Sequence, residues 1–172
     1  MRARPAGRAS GVPAADARRR RDQSAGRRPY RSARRRALVS VYYIDTSAAL
    51  KLLADEEHSA AFAEFYDANA SASWVSSALL RIEVVRAVAR VLPSALPDAR
   101  DLLTAFDIIA IDDDIVERAM DEPDRRLRSL DAIHLATARV LDTDFDALVT
   151  YDDRLAEAAT DAGMAVLRPA GA

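Results

Sequence analysis

A chain of 172 residues suits one domain with a modest appendage and is too short for two full domains. Half of it is hydrophobic and 30% is charged, which excludes global disorder, and the lack of cysteine excludes a disulfide framework, a thiol nucleophile and every cysteine-based zinc site. The net charge of −2 hides an asymmetry, because residues 1–37 hold 13 Arg and 2 Asp whereas residues 38–172 hold 12 Lys and Arg against 25 Asp and Glu.

Residues 1–37 are mostly Arg, Ala, Pro, Gly and Ser, too poor in aliphatic side chains to offset the entropy of ordering, and they read as a disordered extension. The arginine runs at 18–21 and 34–36 suit an arm that tracks phosphates. The same composition also arises when GC-rich DNA is translated upstream of a true start, with Leu38, Val39 or Val41 as initiator, and this second reading is preferred. No secretory or twin-Arg signal is read, since Asp45 cuts short the apolar stretch "ALVSVYYI". Nor does any run approach the roughly 18 apolar residues of a membrane helix, so the chain is expected to be soluble.

From residue 38 onward, short β-branched or aromatic runs alternate with Ala- and Leu-rich stretches, the pattern of an α/β domain. Strands are predicted at 39–44, 73–77, 108–111, 147–150 and 165–168. Each is short and mostly apolar, as strands covered on both faces by crossover helices are, so the sheet is expected to be parallel. Helices are predicted at 47–54, 59–70, 78–92, 98–106, 114–120, 130–141 and 154–162. Ser77 and Ser129 are the expected N-caps, Pro93, Pro97 and Pro123 the loop markers, and Gly163 a C-terminal cap.

In parallel sheets, ligands bind beyond the carboxyl ends of the strands, and two aspartates follow predicted strands directly: Asp45 in "YIDTSAALKLL" and Asp152 in "LVTYDDRLAEAA". Either one alone is explained by helix capping. Two more acids interrupt apolar helical stripes. Glu83 has Leu79, Leu80, Val84, Ala87 and Val88 as helical neighbours, and Asp131 lies in "LRSLDAIHLATA". An intrahelical pair with Arg86 or Arg90 is the plain explanation of Glu83, and a favourable helix dipole that of Asp131. Four such acids in one small domain must be neutralised by protons, Arg partners or a metal. Mg²⁺ or Mn²⁺ is the metal expected, because carboxylates suit hard cations and the chain's two histidines, His58 and His134, make no zinc set. The chemistry this implies is metal-assisted phosphoryl transfer.

Taken together, "YIDTSAALKLL", "SSALLRIEVVRAVAR", "LRSLDAIHLATA" and "LVTYDDRLAEAA" resemble, in order and separation, the PIN-domain ribonucleases and specifically the VapC-like toxins of type II toxin–antitoxin pairs. The resemblance runs from about residue 39 to 169. It implies a PIN-like three-layer α/β/α sandwich with a short, mostly parallel sheet of four to five strands, occupying residues 38–172. It also implies a cytoplasmic Mg²⁺- or Mn²⁺-dependent endoribonuclease, with RNA as substrate, an antitoxin bearing a basic segment as partner, and a homodimeric state. Asp45 and Asp131 match the principal metal ligands of that family, and Glu83 and Asp152 complete its acidic pocket, with Asp153 an alternative to Asp152. Thr46, Ser47 and Thr150 match hydroxyl positions that orient those acids or their waters.

His134 reads as a hydrogen-bonded helix histidine rather than a ligand or general base, and Trp74 as a core residue rather than a base-stacking platform. Arg125, Arg126 and Arg128 are candidates for RNA backbone contact, against the plainer reading of a solvated basic loop. The rivals are a stand-alone PIN-type RNA-processing nuclease and a metal-free acidic interaction module. A haloacid-dehalogenase-type phosphotransferase needs a second acid where Ser47 stands. A receiver module needs a late Lys, whereas Lys51, the one lysine, lies in the first helix.

Overall fold

The computed structural model describes residues 39–142 and 145–171, so the readings made for residues 1–37 lie outside it. The elements in order are β1 (Val41–Ile44), α1 (Thr46–Leu50), α2 (Ser59–Ala68), β2 (Ser73–Ser77), α3 (Leu79–Val91), α4 (Leu96–Leu102), β3 (Asp107–Ile109), α5 (Asp113–Met120), α6 (Ser129–Arg139), β4 (Ala147–Val149), α7 (Asp153–Asp161) and β5 (Val166–Leu167). Every predicted strand is present, within one or two residues at each end. The five strands form one sheet in the order β3-β2-β1-β4-β5, parallel throughout, with Tyr43 of β1 opposite Val75 of β2 and Leu148 of β4.

Successive side chains on a strand point to opposite faces, which divides the interior in two. Val41, Tyr43, Val75 and Leu148 join Leu135 and Ala138 of α6 and Leu155 and Ala158 of α7 on one face. Ile44, Trp74 and Val149 join Ala48 and Ala49 of α1, Phe62 of α2 and Leu80, Val84 and Val88 of α3 on the other. These two layers around the sheet make the expected α/β/α sandwich. Trp74 is core, packed among the rings of Tyr42, Phe62, Phe65 and Tyr66. Each fully buried Leu, Val or Phe in these layers contributes about 1.5–3 kcal/mol.

Local chemistry explains where the helix bounds depart from expectation. After α1 the chain tightens, with Lys51, Leu52 and Leu53 donating to the carbonyls three residues back. Pro97 lies in the first turn of α4 rather than in a loop, because a missing N–H there breaks no helical bond. Ser129 is the first residue of α6 and not its cap; Arg128 holds the cap position, and its N–H donates to the Asp131 carboxylate at 3.3 Å. Gly163 does end α7 at φ +79°, with Met164 N–H donating to Ala159 C=O and Gly163 N–H to Thr160 C=O, a Schellman arrangement. Among the described residues no helix is long and apolar enough to cross a membrane.

Candidate active site

From β1 the strand order runs one way through β2 and β3 and the other way through β4 and β5. The crevice at such a reversal, beyond the carboxyl ends of β1 and β4, is where open α/β sheets place ligands. Asp45 ends β1 there, and Thr150, Tyr151 and Asp152 lead out of β4 beside it.

Asp45 caps α1, accepting from Ala48 N–H at 3.0 Å, and is only 4% exposed. Its Oδ2 accepts the Thr150 hydroxyl at 2.8 Å, and the Ser47 hydroxyl stands 2.8 and 2.9 Å from its two oxygens. Ser47 Oγ in turn accepts Tyr151 N–H at 2.7 Å, and Thr150 Oγ1 accepts Asp152 N–H at 3.0 Å. Two hydroxyls thus stitch the exits of β1 and β4 around one buried carboxylate. Burial pushes the Asp45 carboxyl up; the His134 ring and the bonds from Ala48, Ser47 and Thr150 pull it back without cancelling the shift. A negative charge at Asp45 is therefore costly unless a cation or a proton offsets it.

Glu83 lies in the second turn of α3, its side chain 21% exposed. It makes neither of the intrahelical arginine pairs that local spacing suggests. Its Oε2 instead accepts both the Thr46 hydroxyl and, at 2.9 Å, Nε2 of His134 from α6. Burial raises this carboxyl, but the two hydrogen bonds and the nearby His134 ring outweigh it and hold the group below the ordinary glutamate range. His134 is buried at 3% exposure, and its Nδ1 lies 2.8 Å from the hydroxyl of fully buried Tyr43.

Asp131 sits one turn before His134 on α6, partly buried and close enough to Asp152 for the two charges to repel. Burial, then the Asp152 charge, push its carboxyl up against the opposing pull of the Arg128 N–H and the Arg128 and Arg154 charges. Asp152 is the N-cap of α7, its Oδ1 accepting Arg154 and Leu155 N–H at 2.9 and 3.1 Å, while among the described residues no hydrogen bond reaches Oδ2. Asp153 is drawn off to Arg168 at 2.6 Å, so Asp152 is the acid of this pair that remains with the group.

The four acids expected from sequence thus come to one rim of the sheet through Thr46, Ser47, Thr150 and His134. Their donor set is all oxygen, which suits a hard cation. Among the described residues no group of three or more His, Asp or Glu side chains is arranged to enclose a metal ion, but a hydrated Mg²⁺ needs only one or two carboxylates. Of the arginines before α6, Arg126 is tied to Asp124 and Glu157. Arg128 is exposed with no ion pair among the described residues, as is Arg154 across the rim. Reading the sequence missed Tyr43, which looks like one more apolar strand residue; its strand parity, the same as that of Val41, was the available signal that it faces α6.

The PIN domain family model matches residues 42–161. Ribonuclease VapC35 of Mycobacterium tuberculosis H37Rv is 43% identical over 129 residues, covering 74% of this chain and 96% of that protein. Ribonuclease VapC46 of the same strain is 40% identical over 131 residues, covering 76% and 99%. Among solved structures, a toxin–antitoxin complex from Klebsiella pneumoniae shares the fold at a TM-score of 0.58 and 23% identity, covering 76% of this chain and 99% of the other. With the family model spanning most of the α/β unit and relatives matched over nearly their full length, the chain belongs to the PIN-domain family, among its VapC-like members.

Proposed function

We propose that the protein is a Mg²⁺- or Mn²⁺-dependent endoribonuclease and the toxic component of a type II toxin–antitoxin pair. The observation that carries this reading is Asp45: a carboxylate buried at the strand-order reversal, hydrogen-bonded by Ser47 and Thr150, with three further acids at the same rim. Proteins rarely bury such a charge unless something positive shares the site. The relatives named as ribonucleases and the toxin–antitoxin complex among the structural neighbours support the same reading.

In this reading Asp45 and Asp131 hold the cation, with Glu83 and Asp152 completing the pocket directly or through water. When bound, the ion would supply Lewis-acid polarisation of a phosphodiester and a lowered pKa for water. Ser47 and Thr150 fix the Asp45 oxygens so that little reorganisation is needed on binding. Oδ2 of Asp152, which carries no capping bond, would be the oxygen to orient the attacking water or take its proton, a role another acid of the pocket could share. Arg128 and Arg154 flank the acids and would bind the RNA backbone, which a domain carrying a net charge of −13 otherwise repels. An antitoxin would inhibit by presenting a basic side chain, most effectively an arginine bridging two of the carboxylates. The reading includes a homodimeric, cytoplasmic protein whose working unit is residues 38–172.

Cleavage of total RNA by the purified protein, with Mn²⁺ or with excess chelator, tests the proposal. Activity that survives the chelator, or that is equal in Asp45→Asn and Asp131→Asn proteins, sinks it. Should cleavage hold but the product of the neighbouring gene neither bind nor inhibit, the protein is a stand-alone RNA-processing nuclease.

A further inference from the structure

One buried histidine connects three of the elements that carry the acids. His134 lies on α6 one turn after Asp131. Its Nδ1 meets the hydroxyl of Tyr43, two residues before Asp45 on β1, at 2.8 Å. Its Nε2 meets Oε2 of Glu83 on α3 at 2.9 Å. Tyr43 is fully buried and His134 nearly so, and the two rings meet edge to face. A carboxylate only accepts, so Nε2 must carry the proton it donates to Glu83. Thr46, next to Asp45, donates to the same Oε2. Oε1 of Glu83 is therefore the oxygen left without a hydrogen bond among the described residues.

We infer that His134, held by Tyr43, is a positioning residue that clamps Oε2 of Glu83 and presents Oε1 to the acidic pocket. The inference rests on the metal-dependent reading above and names a role that the matching acid motifs do not contain. A half-buried glutamate on the rim of a pocket has three rotatable bonds and would otherwise sample several rotamers. Two donors on a single oxygen remove that freedom. They also tie α3 and α6 together at the level of the site, so the same clamp sets how far Glu83 stands from Asp131. Partners of this kind, which orient a ligand without touching the ion, typically cost 10–100-fold in metal affinity or activity when lost.

The test compares His134→Leu, His134→Gln and Tyr43→Phe with the wild type. The Gln amide nitrogen can still reach Oε2, whereas Leu keeps volume without a donor, and Phe keeps the Tyr43 ring but frees Nδ1. Two readouts are taken: the Mn²⁺ concentration that half-saturates thermal stabilisation of the protein without RNA, and kcat and KM for a cleaved RNA. His134→Leu is expected to raise the Mn²⁺ half-point and lower kcat by about 10–100-fold each, with KM within about twofold of wild type. His134→Gln should recover most of both losses, and Tyr43→Phe should fall between Gln and Leu. A His134→Leu protein with wild-type Mn²⁺ response and kcat overturns the inference while the nuclease reading stands. So does a folded His134→Gln protein as impaired as Leu, since the ring rather than its donor would then matter. If Leu does not fold, Gln and Tyr43→Phe decide: equal and large losses in both overturn the clamp. A wild-type protein with no Mn²⁺ response at all overturns both readings.

Discussion

Replacing Asp45 by Asn isolates the cost of the buried charge from the shape of the site. Asparagine keeps the volume, and its Oδ1 can still accept from Ala48 N–H and Ser47. Its amide can donate to Thr150 Oγ1, where the carboxylate accepted, and Thr150 retains a lone pair beside the one taken by Asp152 N–H. What disappears is the charge. Because burial raises the Asp45 carboxyl, the folded state prefers the neutral form, and ionisation is a penalty that grows as pH rises from the unfolded value through the raised folded one. In chelator at pH 7 the Asn protein should therefore be the more stable of the two once the loss of charge-assisted hydrogen bonds is set against the gain, by an amount in the ordinary range of single substitutions, about 0.5–3 kcal/mol. At about 3 °C per kcal/mol for a domain of this size, that is a rise in Tm of several degrees. The difference should shrink as pH falls toward and below the ordinary aspartate value, where the unfolded wild-type carboxyl takes up its proton as well. With Mn²⁺ at 1,000 times its Kd the order inverts, because the wild type gains about 4.1 kcal/mol and the variant gains none. Melting curves at pH 4 to 8, with chelator and with Mn²⁺, make the comparison. An Asn protein less stable than wild type in chelator at pH 7, or an equal Mn²⁺ shift in the two proteins, refutes the reasoning.

Three further outcomes are expected. Arg139→Ala strands Glu122, which is 6% exposed and pairs with Arg139 at 2.6 Å; chemical denaturation should show a loss of about 2–3 kcal/mol, less than for a fully buried pair because Arg139 stays partly in water. Arg128→Ala and Arg154→Ala should each weaken RNA binding and lower the slope of log K against log salt by about one, measured by fluorescence anisotropy with a non-cleaved RNA; an unchanged slope removes them from the phosphate path. Removal of residues 1–37 should leave Tm within about 2 °C and metal-dependent cleavage intact, since the two apolar layers are completed by residues 41–167; a larger drop would show that the segment packs on the domain.

The strands were legible because each is a short apolar run next to a turn signal, and the parallel arrangement followed from their lack of polar alternation. The acids were legible because a carboxylate after a strand, or inside an apolar helical stripe, stands out against its neighbours. Their wiring was not. Glu83 has Arg86 at a favourable intrahelical spacing, and nothing local says that it turns instead to His134, 51 residues away. The Thr46 and Ser47 hydroxyls look alike in sequence, yet one binds Glu83 and the other binds Asp45 and Tyr151. The Glu122–Arg139 pair escaped notice because Glu122 sits in a polar stretch that reads as exposed. Such choices depend on how α3 and α6 lie across the sheet, and a one-dimensional pattern does not carry that information.

The strand order also governs when the acidic site can be completed during the protein's own synthesis. β1 lies at the centre of the sheet, and the residues that bond Asp45 and Val41 from the β4 side, Thr150 and Asp146, come 105 positions later. Until that stretch has left the ribosome, β1 has one naked edge, Asp45 lacks the Thr150 hydroxyl, and Asp152 has not been made. On the proposed nuclease reading, a nascent or prematurely terminated chain that ends before β4 should therefore be inert toward RNA, however well its first half has folded. Any partner that captures the protein co-translationally has the time taken to add those last residues in which to arrive.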